Sequence, residues 1–279
     1  MLDLTMLREP FMQRALLAAL LAGVACPLLG VLVVTMRLSF IGVCMSHAAF
    51  AGALLGLLAG IEPLAPAFAF SLLAAAVLGP LADRGEFGPD TAMGIVFSSS
   101  LGLAFLLLAL VPGPKTEALG LLWGSILTVS RANLALLAGV AAVVLALCVL
   151  FFKEIQAVIF NREIAVAVGI PATAIFYGLL LLSGAAITAS LNAIGGLLVF
   201  SLIINPAAAA YQLTYSLRRM FILAAVFGVA SGWVGLALSA VLDLPSGAVI
   251  IMVSVLIFVG AVIFSPKRRH VLSAAAERL

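Results

Sequence analysis

Charged residues are scarce in this chain of 279 residues. They make up 9% of it, while hydrophobic residues make up 65%. A soluble domain carries about 25% charged residues because its surface faces water. This composition excludes the soluble globular and disordered classes and predicts a protein that lies in a lipid bilayer. The basic residues stand singly between apolar runs, so we expect no nucleic-acid partner.

Cysteine is also scarce, and one nucleotide-binding motif is missing. Cys26, Cys44 and Cys148 each lie inside an apolar run, and no C-x-x-C pair occurs. This pattern favours neither a disulfide framework nor a zinc ribbon. No G-x-x-x-x-G-K-[ST] loop is found in the sequence, so it contains no nucleotide-binding loop of this type. We expect no tightly bound cofactor.

Long apolar runs dominate what is present. A helix needs ~20 apolar residues to cross the hydrocarbon core, and only helices and closed barrels satisfy every backbone polar group there. The runs are continuous rather than alternating, and small residues crowd them. The sequence therefore predicts an all-α polytopic membrane protein, with about nine transmembrane helices in a compact bundle. The predicted spans cover residues 12–36, 39–60, 64–83, 91–111, 132–152, 173–190, 193–213, 219–241 and 247–265.

Residues 116–130, TEALGLLWGSILTVS, are apolar but too short to cross the bilayer alone. We interpret them as a re-entrant or interfacial helix in which Trp123 is an interface anchor.

The basic residues also predict the orientation. An odd number of spans puts the two termini on opposite sides. With the N-terminus outside, ten of the fourteen Lys and Arg residues lie in cytoplasmic segments and four lie outside. Because positive residues concentrate on the cytoplasmic side, we expect an outer N-terminus and a cytoplasmic C-terminus with a basic tail over 266–279.

His47 is the ionisable side chain that the predicted spans place deepest in the membrane. It lies eight residues into the second span, a depth of roughly 12 Å and near the midplane. Such residues are costly and tend to be functional. Cys44 lies three residues earlier on the same helix face, and thiolate and imidazole both bind zinc and similar metals. The alternative is a neutral histidine bonded to a carbonyl, a serine or a water.

Two further polar positions are candidates for a transport pathway. Ser46 precedes the histidine and could bond its own backbone or a neighbouring helix. In the seventh span, Asn205 precedes Pro206, which interrupts the backbone hydrogen-bond ladder. The freed carbonyls and the asparagine amide could line a pathway or repair the kink, and both interpretations stay open.

The segment 153–172 follows the fifth span and is amphipathic. It begins with charged residues and ends with GIP. It is either an ordinary linker or a short helix that docks on a partner.

The order and spacing of several motifs resemble a known family. The motifs include SFIGVCMSHAAFAGALLG, NREIAVAVGIP, SLNAIGGLLVFSLIINPAAAA and LDLPSGAVII, within a match from about residue 11 to 266. They resemble the membrane permease subunit of the ATP-binding cassette importers for zinc, manganese and iron (ABC-3 type). The resemblance implies a transport permease rather than an enzyme, with a single permease domain over 1–279 in a bacterial-type cytoplasmic membrane.

The resemblance also implies partners and a coupling element. The permease would work as a homodimer or a paired permease, with separate cytoplasmic ATPase subunits and an extracytoplasmic metal-binding protein that delivers the ion. The segment 153–172 would be the coupling region between permease and ATPase. Its coupling residues would be Arg162, Glu163, Ala165, Ala167 and Gly169.

The sequence departs from the family at one position of the second span. The family usually has an aspartate four residues before the histidine, and this chain has Val43 there. A site of His47 and Cys44 without that carboxylate is softer, which favours zinc over manganese or iron. Alternatively, the pore passes a chelated metal or another small solute. A stand-alone secondary transporter is the third hypothesis, although the spans lack the carboxylates that usually couple such transport.

Overall fold

The computed structural model describes residues 9–84, 88–112, 115, 119–120 and 126–267, and of these it gives only the backbone for 83–84. The described part is all-helical and contains no strand. Its α-helices are α1 (Pro10–Thr35), α2 (Ile41–Leu58), α3 (Leu64–Arg84), α4 (Pro89–Leu110), α5 (Arg131–Leu150), α6 (Phe152–Phe160), α7 (Arg162–Ala167), α8 (Ala172–Ile194), α9 (Gly196–Leu213), α10 (Leu217–Leu242) and α11 (Ser246–Ile263).

Nine of these helices are long and apolar enough to cross a membrane, namely α1 to α5 and α8 to α11. The prediction of about nine spans is therefore confirmed for the described residues. The largest boundary difference lies between α8 and α9. We placed it at the LNA sequence, but α8 continues through Asn192 and stops at Gly195, whose φ of 90° lies in the region that favours glycine.

The segment 153–172 forms two short helices, α6 and α7, instead of one. Asn161 separates them with an extended backbone, and its side-chain oxygen accepts a hydrogen bond from the Ile164 amide. It is therefore the N-cap of α7. In the predicted re-entrant segment, residues 119–120 are helical and Ile126–Thr128 form a 3₁₀ turn. Trp123 lies outside the described residues.

The end of α11 is attached to the end of α9. The Ser265 hydroxyl lies 3.0 Å from the Gln212 carbonyl oxygen. Lys267 follows and places its ammonium 3.7 Å from the ring centre of Tyr211 and 4.8 Å from that of Tyr215. Partial burial lowers the pKa of Lys267. The predicted basic tail thus begins against aromatic rings, and residues 268–279 lie outside the described part.

Helix α1 is central in the bundle. It packs against α10, α9, α5 and α8, while α2 packs against α3, α4 and α8. In α1 and α2, 72% of the residues in the most apolar window are buried, whereas in α4, α5 and α11 only 22% are. The bundle thus has two packed groups that α8 and α9 join, and the second span lies inside one of them.

The crossings of α1 depend on glycine. A Cβ added to Gly23 would lie 2.9 Å from the carbonyl carbon of Gly228 on α10, and one added to Gly30 would lie 2.8 Å from that of Ile203 on α9. Both distances are below van der Waals contact, and the opposing atoms are backbone. Helices in lipid gain little from hydrophobic burial against each other, so close backbone approach supplies much of their packing energy.

We expect Gly30→Ala to destabilise the protein, because its Cβ would push α9 away from α1. Overpacking of this kind costs about 1–3 kcal/mol. The melting temperature of the detergent-purified chain measures the effect. Gly178→Ala on α8 is the matched control, since its Cβ would meet nothing. Equal melting temperatures for the two variants would contradict the proposed role of this crossing.

Candidate functional site

His47 lies on α2 with its ring half-buried. Its Nδ1 is 2.9 Å from the carbonyl oxygen of Val43, one helical turn earlier. A carbonyl only accepts hydrogen bonds, so Nδ1 carries the proton and donates it. The neutral ring then has its lone pair on Nε2, the nitrogen available to a cation. The sequence allowed His47 two roles, a bond to a carbonyl or a bond to a metal. The two roles are compatible, because each uses a different ring nitrogen.

Val43 supports the histidine through its backbone. Its carbonyl also accepts a hydrogen bond from the Ser46 hydroxyl at 3.0 Å. Ser46 is buried and thus bonds its own helix, one of the two roles that its sequence allowed. The Val43 side chain is half-buried and lies one helical turn before His47. Phe40, Val43 and His47 together form a partly accessible strip along the start of α2. A carboxylate at position 43 would lie on the same strip as the imidazole.

Phe97 of α4 covers one edge of the histidine. The two rings meet edge to face, with centres 5.1 Å apart and an interplanar angle of 86°. Phe97 also lines an open cavity of about 600 Å³ whose other lining residues are Val34, Arg37, Ser39, Phe40, Asp90 and Gly94. His47 itself does not line the cavity but contacts it through the Phe97 ring, and the cavity lies at the end of the bundle where α2 and α4 begin.

Asp90 is a polar residue of this cavity that the sequence reasoning missed. We assigned it to the loop before the fourth span, but α4 begins at Pro89 and Asp90 lies in its first turn. The sequence contains a signal for this helix start, because proline is favoured at the first helical position and acidic residues are favoured in the first turn. Arg37 lines the same cavity, so its wall contains one charge of each sign.

Cys44 faces α4, as the His47 ring does, but Cys44 is more deeply buried than His47. Its side chain is fully buried and its thiol donates to the Met93 carbonyl at 3.0 Å. Met93 and Phe97 are one turn apart on α4, so the cysteine and the histidine contact successive turns of one helix. The described residues contain no group of three or more His, Cys, Asp and Glu side chains placed to hold a metal. One copy of the described site thus offers an imidazole beside a thiol that is already hydrogen-bonded.

Asn205 belongs to a different polar cluster. Its amide nitrogen donates to the hydroxyls of Ser201 on α9 and Ser254 on α11, at 3.0 and 2.9 Å. The two hydroxyls are 2.8 Å apart, and that of Ser254 donates to the Ile251 carbonyl. The amide therefore joins α9 to α11 and does not bond the carbonyls that Pro206 frees. These bonds leave the Asn205 side-chain oxygen as an acceptor.

The predicted coupling residues lie together on and after α7. Ala165 is buried and anchors the helix, whereas Glu163, Ala167 and Gly169 are exposed. Arg162 donates to the Thr173 hydroxyl at 3.1 Å, and its guanidinium lies 4.9 Å from the Phe176 ring centre. Both contacts hold α7 on the first turns of α8.

Gly169 terminates α7 with a φ of 84°. The Gly169 amide donates to Val166 and the Ile170 amide donates to Ala165, which is the Schellman pattern of a helix C-terminus. Around this stop, the side chains of Phe160, Ile164, Val166 and Val168 are exposed. The segment therefore presents an apolar surface at the end of the bundle where α2, α4 and α8 begin.

Comparisons with known proteins place nearly the whole chain in one family. The profile of the ABC 3 transport family matches residues 8–265. The manganese transport system membrane protein MntC of Halalkalibacterium halodurans is 32% identical, over 94% of this chain and 90% of that protein. The chelated iron transport system membrane protein YfeD of Yersinia pestis is 31% identical, over 92% and 86%.

A solved structure agrees in fold. A chain of PsaBC from Streptococcus pneumoniae, determined in complex with Fab, superposes with a TM-score of 0.85 at 28% identity. The match covers 97% of this chain and 98% of that one. The family profile, the relatives and the nine-span fold agree along nearly the full length, and the chain belongs to the ABC 3 transport family of multi-pass membrane proteins.

Proposed function

We propose that this chain is the membrane permease of an ATP-driven importer, and that it moves a divalent transition-metal ion across the cytoplasmic membrane. The observation that carries the proposal is His47, whose protonated Nδ1 is bonded to Val43 and whose Nε2 is therefore left for a ligand beside an open cavity. Imidazole is a good ligand for zinc and iron. The names of the manganese and iron relatives support the metal class.

Zinc stays a prediction from the residues of this chain. The relatives named above are named for manganese and iron, which makes zinc the less supported cargo. The argument for zinc is that position 43 provides no carboxylate, the ligand type that suits manganese. Cys44 adds little to it while its thiol is bonded to Met93. Zinc, iron and manganese uptake by one reconstituted complex would rank the three directly.

A chelated metal is the second candidate cargo. The described residues offer no complete ligand set, so a bare ion would depend mainly on His47 and on water or a second subunit. A chelate brings its own ligands and needs space, and the cavity beside Phe97 is about 600 Å³. The YfeD relative, named for chelated iron, supports this alternative. Uptake of the metal with and without a chelator separates the two cargoes.

A second copy of the permease would complete the pathway. Helix α4 is one of the least buried spans. Its exposed surface includes Thr91, Ser98 and the glycines Gly94 and Gly102, at which an added Cβ would meet nothing. Small residues on a span permit close helix contact in lipid. A homodimer that packs along this face would bring two copies of the His47 cavity close together.

The ATPase would dock on the apolar surface of α7. Phe160, Ile164, Val166 and Val168 are exposed there although they are large and apolar, which is typical of a partner site. The N-terminus would then be extracytoplasmic, and an external metal-binding protein would bind the opposite end of the bundle. Ten of fourteen basic residues on the α7 side support this orientation.

We expect His47→Ala to lower uptake of the transported metal by at least about 10-fold, because the variant removes a direct ligand and loss of an outer-shell partner alone already costs about 10–100-fold. Metal uptake and metal-stimulated ATP hydrolysis in proteoliposomes measure this. Cys44→Ser is the matched control, since a hydroxyl keeps the bond to Met93 and removes the thiolate. Unchanged uptake of every transition metal in His47→Ala would disprove the ligand role, and loss in Cys44→Ser would identify the thiol as a ligand.

We expect Val43→Asp to shift selectivity toward manganese. The new carboxylate would lie on the same strip as His47, and carboxylates suit manganese better than imidazole alone does. The ratio of manganese to zinc uptake measures the shift. Val43→Asn, which has a similar shape and no charge, controls for polarity. If both variants fold and their ratio of manganese to zinc uptake equals that of the unmodified protein, this prediction is wrong.

We expect Ile164→Ser to weaken ATPase docking, because it removes an exposed apolar side chain from the α7 surface. The amount of ATPase that co-purifies with the tagged permease measures docking. Val241→Ser is the control, since Val241 is equally exposed but lies at the opposite end of the bundle. Co-purification that is normal for Ile164→Ser would reject α7 as the docking site. If no ATPase co-purifies with the unmodified chain, the stand-alone transporter becomes the better hypothesis.

A further inference from the structure

A second large cleft lies on the outside of the helix bundle, between α5 and α10 and away from His47. Helix α1 packs against both α5 and α10 and forms the floor between them. The cleft measures about 900 Å³, and its walls are almost entirely apolar. The floor is Val24 and Leu28, and the walls include Leu145, Val149, Phe221 and Ala225.

One end of this cleft is charged. Helix α6 crosses it there and contributes Lys153 and Glu154, while the first turn of α10 contributes Arg218. These residues follow the end of α5 and begin α10, so they lie where the spans leave the hydrocarbon core. The charged end therefore has two positive charges and one negative charge, a net charge of +1.

Glu154 has an unmet hydrogen-bonding requirement. Its carboxylate oxygen Oε2 is shielded from solvent and has no hydrogen-bond partner among the described residues. A buried carboxylate oxygen without a donor is costly. Since Glu154 lines the charged end of the cleft, a bound molecule there that carries a donor would supply the missing hydrogen bond.

We propose that this cleft is a binding site for a phospholipid of the membrane, phosphatidylglycerol. An acyl chain would lie on Val24 and Leu28 between α5 and α10. The phosphate would lie between Lys153 and Arg218, since basic groups at the end of a cleft between helices bind anionic headgroups. A glycerol hydroxyl would donate to Glu154. The single negative charge of this lipid balances the net charge of the cleft end, whereas zwitterionic phosphatidylethanolamine leaves it unbalanced.

The position of the site has a structural consequence. Helix α6 forms the charged end and continues through Asn161 into α7. A lipid bound between Lys153 and Arg218 would therefore tie α6 to α10 and limit the movement of the segment that carries α7. The proposal does not depend on which metal the permease carries.

The test uses the full-length chain purified in detergent, with titrated phosphatidylglycerol or phosphatidylethanolamine. We expect phosphatidylglycerol to raise the melting temperature and to remain bound in native mass spectrometry. The double variant Lys153→Gln/Arg218→Gln should lose both effects. Arg219→Gln should keep them, because Arg219 is the exposed neighbour of Arg218 and does not line the cleft.

A second variant tests the apolar part of the site. Ala225→Trp fills the cleft without changing any charge, and it should also abolish phosphatidylglycerol retention. The proposal is overturned if phosphatidylethanolamine stabilises the chain equally or better, or if the double variant responds to phosphatidylglycerol as the unmodified chain does. A change in oligomer size for Ala225→Trp, without any lipid effect, would assign the cleft to a second copy and also overturn it.

Discussion

The close approach of α1 to α9 and α10 is the constraint on which the rest of the structure depends. Lipid is as apolar as the helix surfaces, so helices associate through close contact rather than through escape from water. Gly23 and Gly30 allow that contact within one helix, two turns apart. Helix α1 ends at Thr35, and a turn at Arg37 (φ 59°) leads from it into α2. The cavity beside His47 is bounded on one side by that same end of α1.

A second constraint of the bilayer shapes the chemistry of the site. A polar group in the membrane needs a partner, and the nearest one is often a backbone carbonyl in its own helix. Ser46, Thr188 and Ser231 all bond carbonyls three or four residues earlier. His47 does the same with Nδ1. In serine and threonine, the bond to the carbonyl satisfies the hydroxyl donor. In His47, the bond also selects the tautomer in which Nε2 has the lone pair and is left for a ligand.

The sequence predicted the spans well because membrane spans depend on length and apolar content, which are local properties. It placed the end of α8 wrongly because LNA resembles a break in composition, whereas the decisive feature is the conformation of Gly195. It missed Asp90 because a single acid after GP was interpreted as loop. The burial of Cys44 depends on where α4 lies, and the spacing of residues within α2 contains no information on that.

The division of segment 153–172 into α6 and α7 shows the same limit. Its amphipathic pattern allowed either an ordinary linker or one short docking helix, but Asn161 caps a new helix instead of continuing the first. The spacing that marked Gly169 as a stop was right, because a residue of positive φ favours glycine in any fold. Local backbone chemistry was thus predictable from the residues, while the division into two helices depended on which interaction the asparagine side chain makes.

The site and the predicted coupling segment are connected through α8. Arg162 attaches α7 to Thr173 and Phe176 at the start of α8. Further along, the Gly184 carbonyl accepts a hydrogen bond from Ser71 of α3. Helix α3 in turn packs on α2 with little space between them, since a Cβ on Gly52 would lie 2.7 Å from the Pro66 carbonyl carbon.

Apart from the Arg162 guanidinium, these contacts are made by backbone or by short side chains, which have little freedom to absorb a displacement. Close contacts thus run from α8 through α3 to α2, the helix that carries His47, while Arg162 connects α7 to the start of α8. Long flexible side chains at the same positions would rearrange locally instead, because protein interiors transmit strain only where packing is close. The small residues that allow the bundle to pack in lipid thus also leave little space between α8, α3 and α2.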